Sequence, residues 1–473
     1  MKDIPPNAFS ALRAVDFKIL MSASLSNVFD YVDSHVEDFI EGLGGLLRIP
    51  SIAVENRGLK EAAGYLQKTM EGLGFVTEVC QTLGSPVVFG ERLEDPSQPT
   101  VLIYGHYDVQ PAEPLDAWVS PPFEPTVRDG RIYARGAGDN KGQLYAQLMG
   151  VKSYLAVHKR LPVNIEFLFE GEEENDSPNL RDFILSHERQ LKADLVYVSD
   201  GPLHENGAPM IVLGVRGIIS IELKATGPNR DLHSGNWGGP IPNPAYKLIK
   251  AISSMKDPET GRVVIKGFYD NVRNVTKEER QAIRILPLDG VRLAEDLGVQ
   301  TLREANAESF YESLMFWPNL NVCAVHSGVD VPGIKTIIPS VATAKIDIRL
   351  VADQNPDYVF ERFRDHVAES DLSIEVIRHG QMWPARTPLS SPYVRKIAKA
   401  VEDAHGAKPL IYPCAGGSLP TYVFTEVLDL PVISVPYANA DESNHAPNEN
   451  LTIENFVKGI KTCCSVFDRI GQK

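Results

Sequence analysis

With 473 residues the chain is too long for one ordinary hydrophobic core, and its length predicts two or three domains. Lys and Arg total 47 against 62 Asp and Glu, which gives a formal net charge of −15 and predicts a surface that repels nucleic acids and anionic membranes. No segment approaches the roughly 20 uninterrupted apolar residues of a membrane span. The composition therefore favours a soluble protein that acts on a small molecule or a peptide.

The segment before Asn27 has short apolar pieces, but Arg13, Asp16 and Lys18 interrupt them before a signal-peptide core can form. We therefore expect a cytoplasmic protein, with either an ordered packing role or a mobile tail for this segment. The five cysteines lack the paired spacing of a zinc finger, so any metal must be bound by His and carboxylate side chains. Two of them are adjacent in a predicted C-terminal helix, where buried thiols are expected; they are Cys463 and Cys464.

The first half of the chain alternates predicted helices and strands. Apolar residues recur at helical spacing before Pro50 and predict an amphipathic helix; they are Val28, Val32, Val36, Phe39, Ile40 and Leu43. Further along the chain, helices are predicted at 59–74 and 140–158 and strands at 75–80, 100–108, 163–174 and 193–201. This is α/β alternation, in which ligands bind at the carboxyl ends of the strands.

From residue 214 to about 386 the pattern changes to alternating strands, such as "ISIELKA" and "ATAKIDIRLV", with helices between them. Strand and helix character of the first kind then resumes at "SSPYVRKIAKAVEDAHG". We therefore predict an α/β catalytic domain, with a central mixed sheet flanked by helices, into which an α+β lid or dimerisation domain is inserted. The predicted boundaries are 1–213 and 387–473 for the catalytic domain and 214–386 for the insert.

Acids and imidazoles collect where the predicted strands end. In the stretch "FLFEGEEEND" an apolar run is followed by three consecutive glutamates, and other predicted strand ends carry similar groups. The full set is His106, Asp108, Asp139, Glu173, Glu174 and Asp200, with His445 late in the chain. So many carboxylates cannot stay ionised in one cleft without a cation, because like charges raise one another's pKa values. Mixed His and carboxylate ligation suits zinc, with manganese or cobalt as alternatives.

The same regions, with others, form an ordered set of motifs that resembles a known family. The set comprises "GHYDVQP", "GAGDNKG", "EGEEE", "SDG", "DLHSG", "IKTIIPS", "IDIRL", "GGSLP" and "NHAPNE". It resembles the dinuclear zinc metallopeptidase family that includes carnosinases, cytosolic non-specific dipeptidase, carboxypeptidase G and the aminoacylases. The resemblance extends from about residue 28 to the C-terminus.

The resemblance implies a centre of two metal ions held by five side chains. Asp139 would bridge the two ions, His106 and Asp200 would complete one site, and Glu174 and His445 would complete the other. Two ions roughly 3.5–4 Å apart need one shared carboxylate and together activate a water. The resemblance further implies a cis peptide bond after the bridging aspartate.

Two further residues beside the ligands, Asp108 and Glu173, have predicted roles in the centre. Asp108 would accept the proton on the second ring nitrogen of His106 and fix its tautomer. Glu173 is adjacent to the ligand Glu174, and consecutive side chains point in different directions, so Glu173 is free to act as the general base. Glu172 is expected to be an ordinary, solvated loop acid.

The predicted lid carries the candidate substrate contacts. The resemblance implies that His233 reaches into the cleft of a dimer partner and stabilises the tetrahedral oxyanion, which implies an oligomer, at least a homodimer. It also implies that Arg349 binds a substrate carboxylate, for which a guanidinium fork is suited. The remaining predicted carboxylate contacts are Thr336, Gly416, Gly417 and Ser418.

The sequence departs from the dipeptidases of this family at two places. Ala415 stands where an acidic residue would meet the free amine of a dipeptide, and Gly201 and Pro202 follow Asp200 where bulkier residues are usual. The predicted function is metal-dependent hydrolysis of an amide beside a free carboxylate, in a dipeptide or in an N-acyl or N-carbamoyl amino acid. A non-catalytic binding protein of the same fold is a weaker alternative, because the predicted base and ligands are all present. A nucleotide-binding protein is excluded, since no phosphate-binding G-x-x-x-x-G-K-[ST] sequence occurs.

Overall fold

The computed structural model describes residues 23–304, 306–329 and 332–472. Most of the segment before Asn27, for which the sequence left two roles open, therefore lies outside the described residues. The chain forms two compact units. The first contains the described residues up to Leu213, together with Thr387–Tyr412 and the chain from Val423 onward, and the second contains Gly214–Arg386 and Pro413–Tyr422.

The segment Pro413–Tyr422 is where these units differ from the predicted boundaries, which placed all of 387–473 in the catalytic domain. Its backbone pairs with the start of the second unit. The Ala415 amide donates to the Gly214 carbonyl at 2.7 Å, and the Arg216 amide donates to the Gly417 carbonyl at 3.0 Å. These long-range hydrogen bonds have no local signal in the sequence.

The strands, numbered in chain order, are β1 (Val76–Cys80), β2 (Val87–Arg92), β3 (Thr100–His106), β4 (Thr126–Arg128), β5 (Arg131–Tyr133), β6 (Asn164–Glu170), β7 (Leu195–Val198), β8 (Met210–Val212), β9 (Gly214–Val215), β10 (Gly217–Thr226), β11 (Leu232–His233), β12 (Asn319–Ser327), β13 (Ile337–Ile338), β14 (Val341–Leu350), β15 (Ile374–Met382), β16 (Ala385–Arg386), β17 (Leu410–Tyr412), β18 (Val432–Ser434) and β19 (Asn450–Thr452).

The α-helices are α1 (Ala23–Ser34), α2 (Val36–Leu47), α3 (Leu59–Gly72), α4 (Lys141–His158), α5 (Leu180–His187), α6 (Ser234–Trp237), α7 (Pro244–Ser253), α8 (Lys277–Arg284), α9 (Gly290–Asp296), α10 (Ala307–Phe316), α11 (Pro356–Ser370), α12 (Pro392–His405) and α13 (Ile453–Gly471). No helix among the described residues is long and apolar enough to cross a membrane.

The first unit is built on an eight-stranded mixed sheet in the order β1-β2-β6-β3-β7-β18-β8-β17. Strand β3 pairs in parallel with β6 on one side and with β7 on the other. Every residue of these three strands is buried, as expected for parallel strands covered on both faces. Helices α4 and α13 pack against each other, and Cys463 and Cys464 are buried in α13, as predicted. The predicted α/β class with a central mixed sheet is confirmed.

The N-terminal helix predicted before Pro50 is instead two helices, α1 and α2, which are separated at His35. The backbone of His35 lies outside the helical region, with φ −121° and ψ 19°. Polar side chains contact carbonyl oxygens of the preceding turn. Ser34 Oγ donates to Asp30 O at 3.0 Å, and the ring nitrogen Nδ1 of His35 lies 2.8 Å from Tyr31 O. Such local side-chain hydrogen bonds compete with the helix and mark its end.

The second unit contains a four-stranded antiparallel sheet in the order β12-β14-β10-β15. Buried and more exposed residues alternate along β10 and β14, so one face of this sheet packs on a core. Helices α7 and α11 contribute to that core through residues such as Leu248 and Phe363. This arrangement is an α+β unit, as the alternating strand pattern predicted.

A buried glutamate in the central sheet gives a test of the fold. Glu166 lies in β6 directly opposite Glu91 of β2, and burial followed by the charge of Glu91 raises the pKa of Glu166 to about 7. Between the ordinary glutamate pKa and pH 7 the folded chain keeps a proton that the unfolded chain has lost, so this group makes stability fall as pH rises. We expect Glu166→Gln to stabilise the fold by about 2–3 kcal/mol at pH 8 and by much less at pH 5.

Denaturant unfolding across this pH range measures the effect. Glu91→Gln is the matched control: it removes only the facing charge, and it should produce a smaller gain because burial is the larger cause. A difference between Glu166→Gln and the parent chain that does not change from pH 5 to pH 8 would contradict the argument.

Candidate metal centre

The predicted ligands lie at one edge of the central sheet because three parallel strands end there. Strand β3 ends at His106, β6 is followed by the short 3₁₀ helix Glu173–Asn175, and Asp200 comes two residues after the end of β7. Since β3 pairs in parallel with both β6 and β7, the carboxyl ends of all three strands meet at the same edge. The sequence pattern of polar groups after apolar runs thus becomes a cluster in space.

The first group of side chains that could hold a metal ion is His106, Asp139 and Asp200. His106 Nε2 lies 3.1 Å from Asp139 Oδ1 and 3.8 Å from Asp200 Oδ2. His106 is fully buried, and the two carboxylates are nearly so. One imidazole nitrogen and two carboxylates are a donor set that suits a divalent ion such as zinc.

The second group is Asp139, Glu174 and His445. His445 Nε2 lies 3.1 Å from Asp139 Oδ2 and 3.1 Å from Glu174 Oε2. Asp139 therefore presents one oxygen to each group, Oδ1 towards His106 and Oδ2 towards His445. In each group the donor atoms lie within 4.8 Å of one another, so both groups fit a metal ion and share one carboxylate.

The charges in this cluster are strongly coupled. Burial followed by the Asp139 charge raises the pKa of Asp200 to about 7. Burial also raises the pKa of Glu173 well above its usual range, although His106 opposes the shift. Burial alone would lower the pKa of His106, but hydrogen bonds to Asp108 and Asp139 raise it well above its usual value. Divalent cations would neutralise this concentration of acids.

Asp108 connects two parts of the centre. Its carboxylate oxygen Oδ1 lies 3.4 Å from His106 Nδ1, where the sequence analysis placed a group that orients the ring. The same carboxylate accepts backbone hydrogen bonds from Glu173 at 3.2 Å and from Glu174 at 3.1 Å. Asp108 therefore also holds the turn that carries the predicted base and a predicted ligand, a role that sequence reasoning missed.

The loop before Asp139 is fixed by Glu449, which the sequence analysis did not assign. Glu449 Oε1 accepts from the amides of Gly138 and Asp139, both at 3.0 Å. Glu449 Oε2 accepts from the Gly136 amide at 3.0 Å and from Arg135 Nη1 at 2.7 Å. Glu449 and Arg135 are both buried, so this ion pair and its hydrogen bonds set the position of the shared carboxylate. The available signal was that Glu449 ends the motif "NHAPNE".

The three glutamates of "GEEE" have different surroundings. Glu173 Oε2 lies 3.8 Å from His106 Nε2, beside the two groups but outside both. Glu172 was expected to be a solvated loop acid, and this expectation is wrong. Its side chain is buried, and Asn179 Nδ2 donates to Glu172 Oε2 at 2.8 Å.

The backbone around the shared carboxylate has the expected form. The peptide bond between Asp139 and Asn140 is cis, which confirms the expectation from the resemblance. Asn140 is buried, its Nδ2 donates to Ser199 O at 2.7 Å, and α4 begins at the next residue. The loop of Asp139 is thereby tied to the segment that carries Asp200.

In the second unit, His233 and Thr336 are neighbours. His233 is paired with Ile337 in the two-stranded sheet β11-β13, and the Ser234 amide donates to Thr336 O at 3.0 Å. The side chain of His233 is exposed, and its Nδ1 accepts from the Gly235 amide at 3.0 Å. The His233 ring is therefore oriented by its own turn and open to solvent.

The other predicted carboxylate contacts of the second unit form a separate group. Arg349 Nη1 donates to Ser418 Oγ at 2.8 Å, and Arg349 Nε donates to Asp347 Oδ2 at 3.2 Å. Gly416, in the same loop as Ser418, accepts a hydrogen bond at its carbonyl from Arg216 Nε at 2.8 Å. Among the described residues no hydrogen bond joins this group to His233 or Thr336.

Residues 102–469 match the model of the peptidase family M20/M25/M40. The chain belongs to this family. M20 relatives extend over almost the whole length: a Cys-Gly metallodipeptidase of Candida albicans is 30% identical over 93% of this chain and 96% of the relative. The human Beta-Ala-His dipeptidase is 27% identical over 95% of this chain and 93% of the relative. As a member of a peptidase family, the protein is a hydrolase.

Solved M20 structures show the same fold. An M20 family metallo-carboxypeptidase from Sulfolobus solfataricus superimposes with a TM-score of 0.86 at 37% identity, over 92% of this chain and 99% of that chain. The dipeptidase Dug1p of Saccharomyces cerevisiae superimposes with a TM-score of 0.82 at 26% identity, over 96% of this chain and 100% of that chain. The fold is thus that of metallopeptidases.

The shared carboxylate predicts how metal content responds to substitution. Asp139 belongs to both groups, whereas Asp200 belongs to one. After chelation, zinc loading and dialysis, we expect two metal equivalents in the parent chain, about one in Asp200→Asn and almost none in Asp139→Asn, as measured by plasma mass spectrometry. Asp176→Asn is the matched control, because Asp176 is an exposed acid of the neighbouring turn outside both groups, and it should retain two equivalents. Equal losses in the two ligand variants would contradict a shared ligand.

Proposed function

We propose that the protein is a dinuclear metallo-dipeptidase, which hydrolyses the amide bond of a small substrate with a free carboxylate. The observation that carries the proposal is the pair of ligand groups joined through Asp139, with Glu173 beside them. Relatives that extend over nearly the whole chain are named Cys-Gly metallodipeptidase and Beta-Ala-His dipeptidase, which supports a dipeptide as the substrate.

The residues of the two groups would hold the ions: His106 and Asp200 on one side, Glu174 and His445 on the other, and Asp139 between them. Bound divalent ions supply Lewis-acid activation of a water and of the scissile carbonyl. Zinc is proposed as the metal, with manganese or cobalt as alternatives, because His and carboxylate ligands accept all three.

Glu173 is proposed as the general base. Its carboxylate lies beside the two ligand groups but belongs to neither, so it is free to take a proton from the attacking water. When the carbon–nitrogen bond breaks, the same carboxyl group returns the proton to the departing amine. The backbone hydrogen bonds from Glu173 and Glu174 to Asp108 support this role, because they fix the turn from which Glu173 projects.

Arg349 is proposed to bind the free carboxylate of the substrate. Support comes from Ser418 Oγ and Asp347 Oδ2, which accept hydrogen bonds from Arg349 Nη1 and Nε and so hold the guanidinium fork in place. The hydroxyl of Ser418 offers a second contact, and His233 is proposed to stabilise the oxyanion of the tetrahedral intermediate. Further proposed contacts are Thr336, Gly416 and Gly417.

An N-acyl or N-carbamoyl amino acid is the second candidate substrate. The observation that favours it is Ala415, whose methyl group cannot pair with the charged amine of a dipeptide. An acylated nitrogen carries no charge and needs no acidic partner. The two candidates share the same reaction and differ only in the group on the substrate nitrogen.

A homodimer formed by the second unit is also proposed. Strand β12 is at the edge of its sheet, and its residues from Asn321 to Ser327 are exposed. Large apolar side chains of the same unit are exposed as well, including Trp237, Tyr246 and Ile249. An open edge strand and exposed apolar residues are features that a partner subunit would cover.

A cytoplasmic location is proposed from the cysteines, all five of which are free thiols.

Activity on paired substrates tests the proposed reaction. We expect the zinc-loaded protein to cleave free dipeptides such as Ala-Ala and Ala-Leu, and chelation to abolish the cleavage. Glu173→Gln should retain two metal equivalents, since Glu173 belongs to neither ligand group, but should lower kcat by about 10²–10⁴-fold because it cannot accept a proton. Unchanged turnover in this variant would refute the assigned base. Cleavage restricted to the N-acetylated counterparts would replace the dipeptidase by the amidohydrolase.

Mixed dimers test whether His233 acts in a partner's site. We expect His233→Ala and Glu173→Gln to be nearly inactive alone, because one loses the oxyanion contact and the other the base. After random subunit exchange, half of the dimers are mixed and each has one site with both residues, so about a quarter of the parent activity should return. Exchange of either variant with itself is the control. Failure to recover activity in verified mixed dimers would contradict action across the interface.

A further inference from the structure

The second unit contains a cavity of about 830 Å³ that the proposed catalytic roles do not use. Its walls come from Arg216, which lies directly before β10, the chain after α7, the segment around residue 303, α10 and the first residue of β12. The volume is that of a site for a small organic ligand. Four of its side chains carry positive charge: Arg216, Lys256, Arg262 and Arg303.

Two carboxylates act on these cations from beyond ion-pairing distance, Asp257 on Arg303 and Asp347 on Arg216. Among the described residues, none of the four lies within 4 Å of a carboxylate oxygen. Two acids, Glu304 and Glu312, line the same cavity. The Glu312 carboxylate accepts hydrogen bonds from both Nη atoms of Arg280, so within the described part of the chain Glu304 is the lining acid without an ion pair. In a protein of net charge −15, the cavity is therefore a local positive region.

Aromatic rings and a glycine adjoin two of these cations, Arg262 and Arg303, whose side chains are exposed at the cavity wall. Arg262 lies over the Tyr269 ring at 4.4 Å from its centroid, and Trp317 meets Tyr269 edge-on with centroids 6.2 Å apart. Gly261 has φ +68°, and a Cβ atom there would come within 1.3 Å of Arg303 Nη1. The absence of a side chain at Gly261 leaves the adjacent space to the Arg303 guanidinium, and the positive φ favours glycine there.

The cavity adjoins the residues assigned to the substrate carboxylate. Arg216 Nε donates to the carbonyl of Gly416, two residues before Ser418. Asn319, another lining residue, is the register partner of Arg349 across β12 and β14. Directly paired residues of antiparallel strands lie side by side, so the cavity wall continues into the Arg349 site.

The electrostatic effects agree with this geometry. Burial and then the charge of Arg303 lower the pKa of Lys256, which places these two cations near each other. Burial also lowers the pKa of Arg216, and the charge of Arg349 adds to that shift, although Cys414 and Asp347 oppose it. An anion bound in the cavity would relieve repulsion among these groups.

We propose that this cavity is the subsite for an acidic side chain on the substrate residue whose α-carboxylate binds Arg349. The inference rests on the proposed function and adds the substrate class, which is a dipeptide with glutamate or a longer acidic side chain at its C-terminal residue. The α-carboxylate and the side-chain carboxylate would bind to neighbouring cations, and the aromatic rings would contact the methylene groups between them. A single glutamate side chain leaves space, so larger acidic substituents fit as well.

Substrate pairs that differ only in charge test this subsite in the zinc-loaded enzyme. Ala-Glu is compared with Ala-Gln, and N-acetyl-glutamate with N-acetyl-glutamine, so that both candidate reactions are included. We expect kcat/KM to favour the acidic member by about tenfold or more, mainly through KM, and the preference to shrink as ionic strength rises.

Variants locate the preference in the cavity. The ratio of kcat/KM for the acidic and neutral substrates is measured within one preparation, so partial misfolding cancels. We expect Arg303→Gln and Arg262→Gln each to lower this ratio several-fold. Arg303→Glu, which reverses the charge, should in addition raise kcat/KM for Ala-Lys relative to Ala-Gln. Arg292→Gln is the matched control: Arg292 is an exposed arginine of the same unit outside the cavity, and its loss should leave the ratio unchanged.

Each outcome separates the inference from the function on which it rests. Cleavage with equal kcat/KM for acidic and neutral partners, or a ratio that the cavity variants do not alter, overturns the subsite and leaves the hydrolase intact. Inorganic phosphate that activates Ala-Leu cleavage without competing against Ala-Glu also overturns it, because the cavity would then be an independent anion site. Absence of cleavage of all four substrates and of Ala-Leu refutes the proposed function and the subsite together.

Discussion

The convergence of ionisable side chains at the carboxyl edge of the central sheet is the constraint on which the rest of the first unit depends. Parallel pairing of β3 with β6 and β7 forces His106, Glu173 and Asp200 into one small volume, and Asp139 joins them from the loop before α4. Like charges at such distances repel by several kcal/mol in a partly buried setting unless cations or donors compensate them. The hydrogen bonds to Asp108 and Glu449 are part of that compensation, because they bring backbone amides and the Arg135 guanidinium to the carboxylates.

Much of this arrangement was predictable from local pattern. Apolar runs of strand length followed by polar residues identified β3, β6 and β7, and the strand-end rule then placed their acids at one edge. The change to strict alternation identified β10 and β14 as strands of a different kind of sheet. The sharing of one carboxylate between two groups was reached only through the family resemblance, because spacing along the chain carries no information on which oxygen faces which imidazole.

What the sequence did not reveal depends on contacts between distant segments. Glu172 looked like a solvated acid because its partner Asn179 and its buried surroundings become visible only when the loop is folded. The loop Pro413–Tyr422 belongs to the second unit through backbone hydrogen bonds that any residue except proline could donate. The same applies to Glu449, whose four acceptor contacts lie more than 300 positions away along the chain.

That separation in sequence has a consequence for how the protein is made. The hydrogen bond between Asp139 and His445 spans 306 residues, and the whole second unit is synthesised between them. On the ribosome, the group of His106, Asp139 and Asp200 can form first, whereas the group completed by His445 must wait until nearly the full chain has emerged. A nascent chain therefore passes through a stage with at most one assembled group. Because hydrolysis is assigned to the pair of groups, we expect a nascent chain to gain activity only after the segment that carries His445 has emerged and folded.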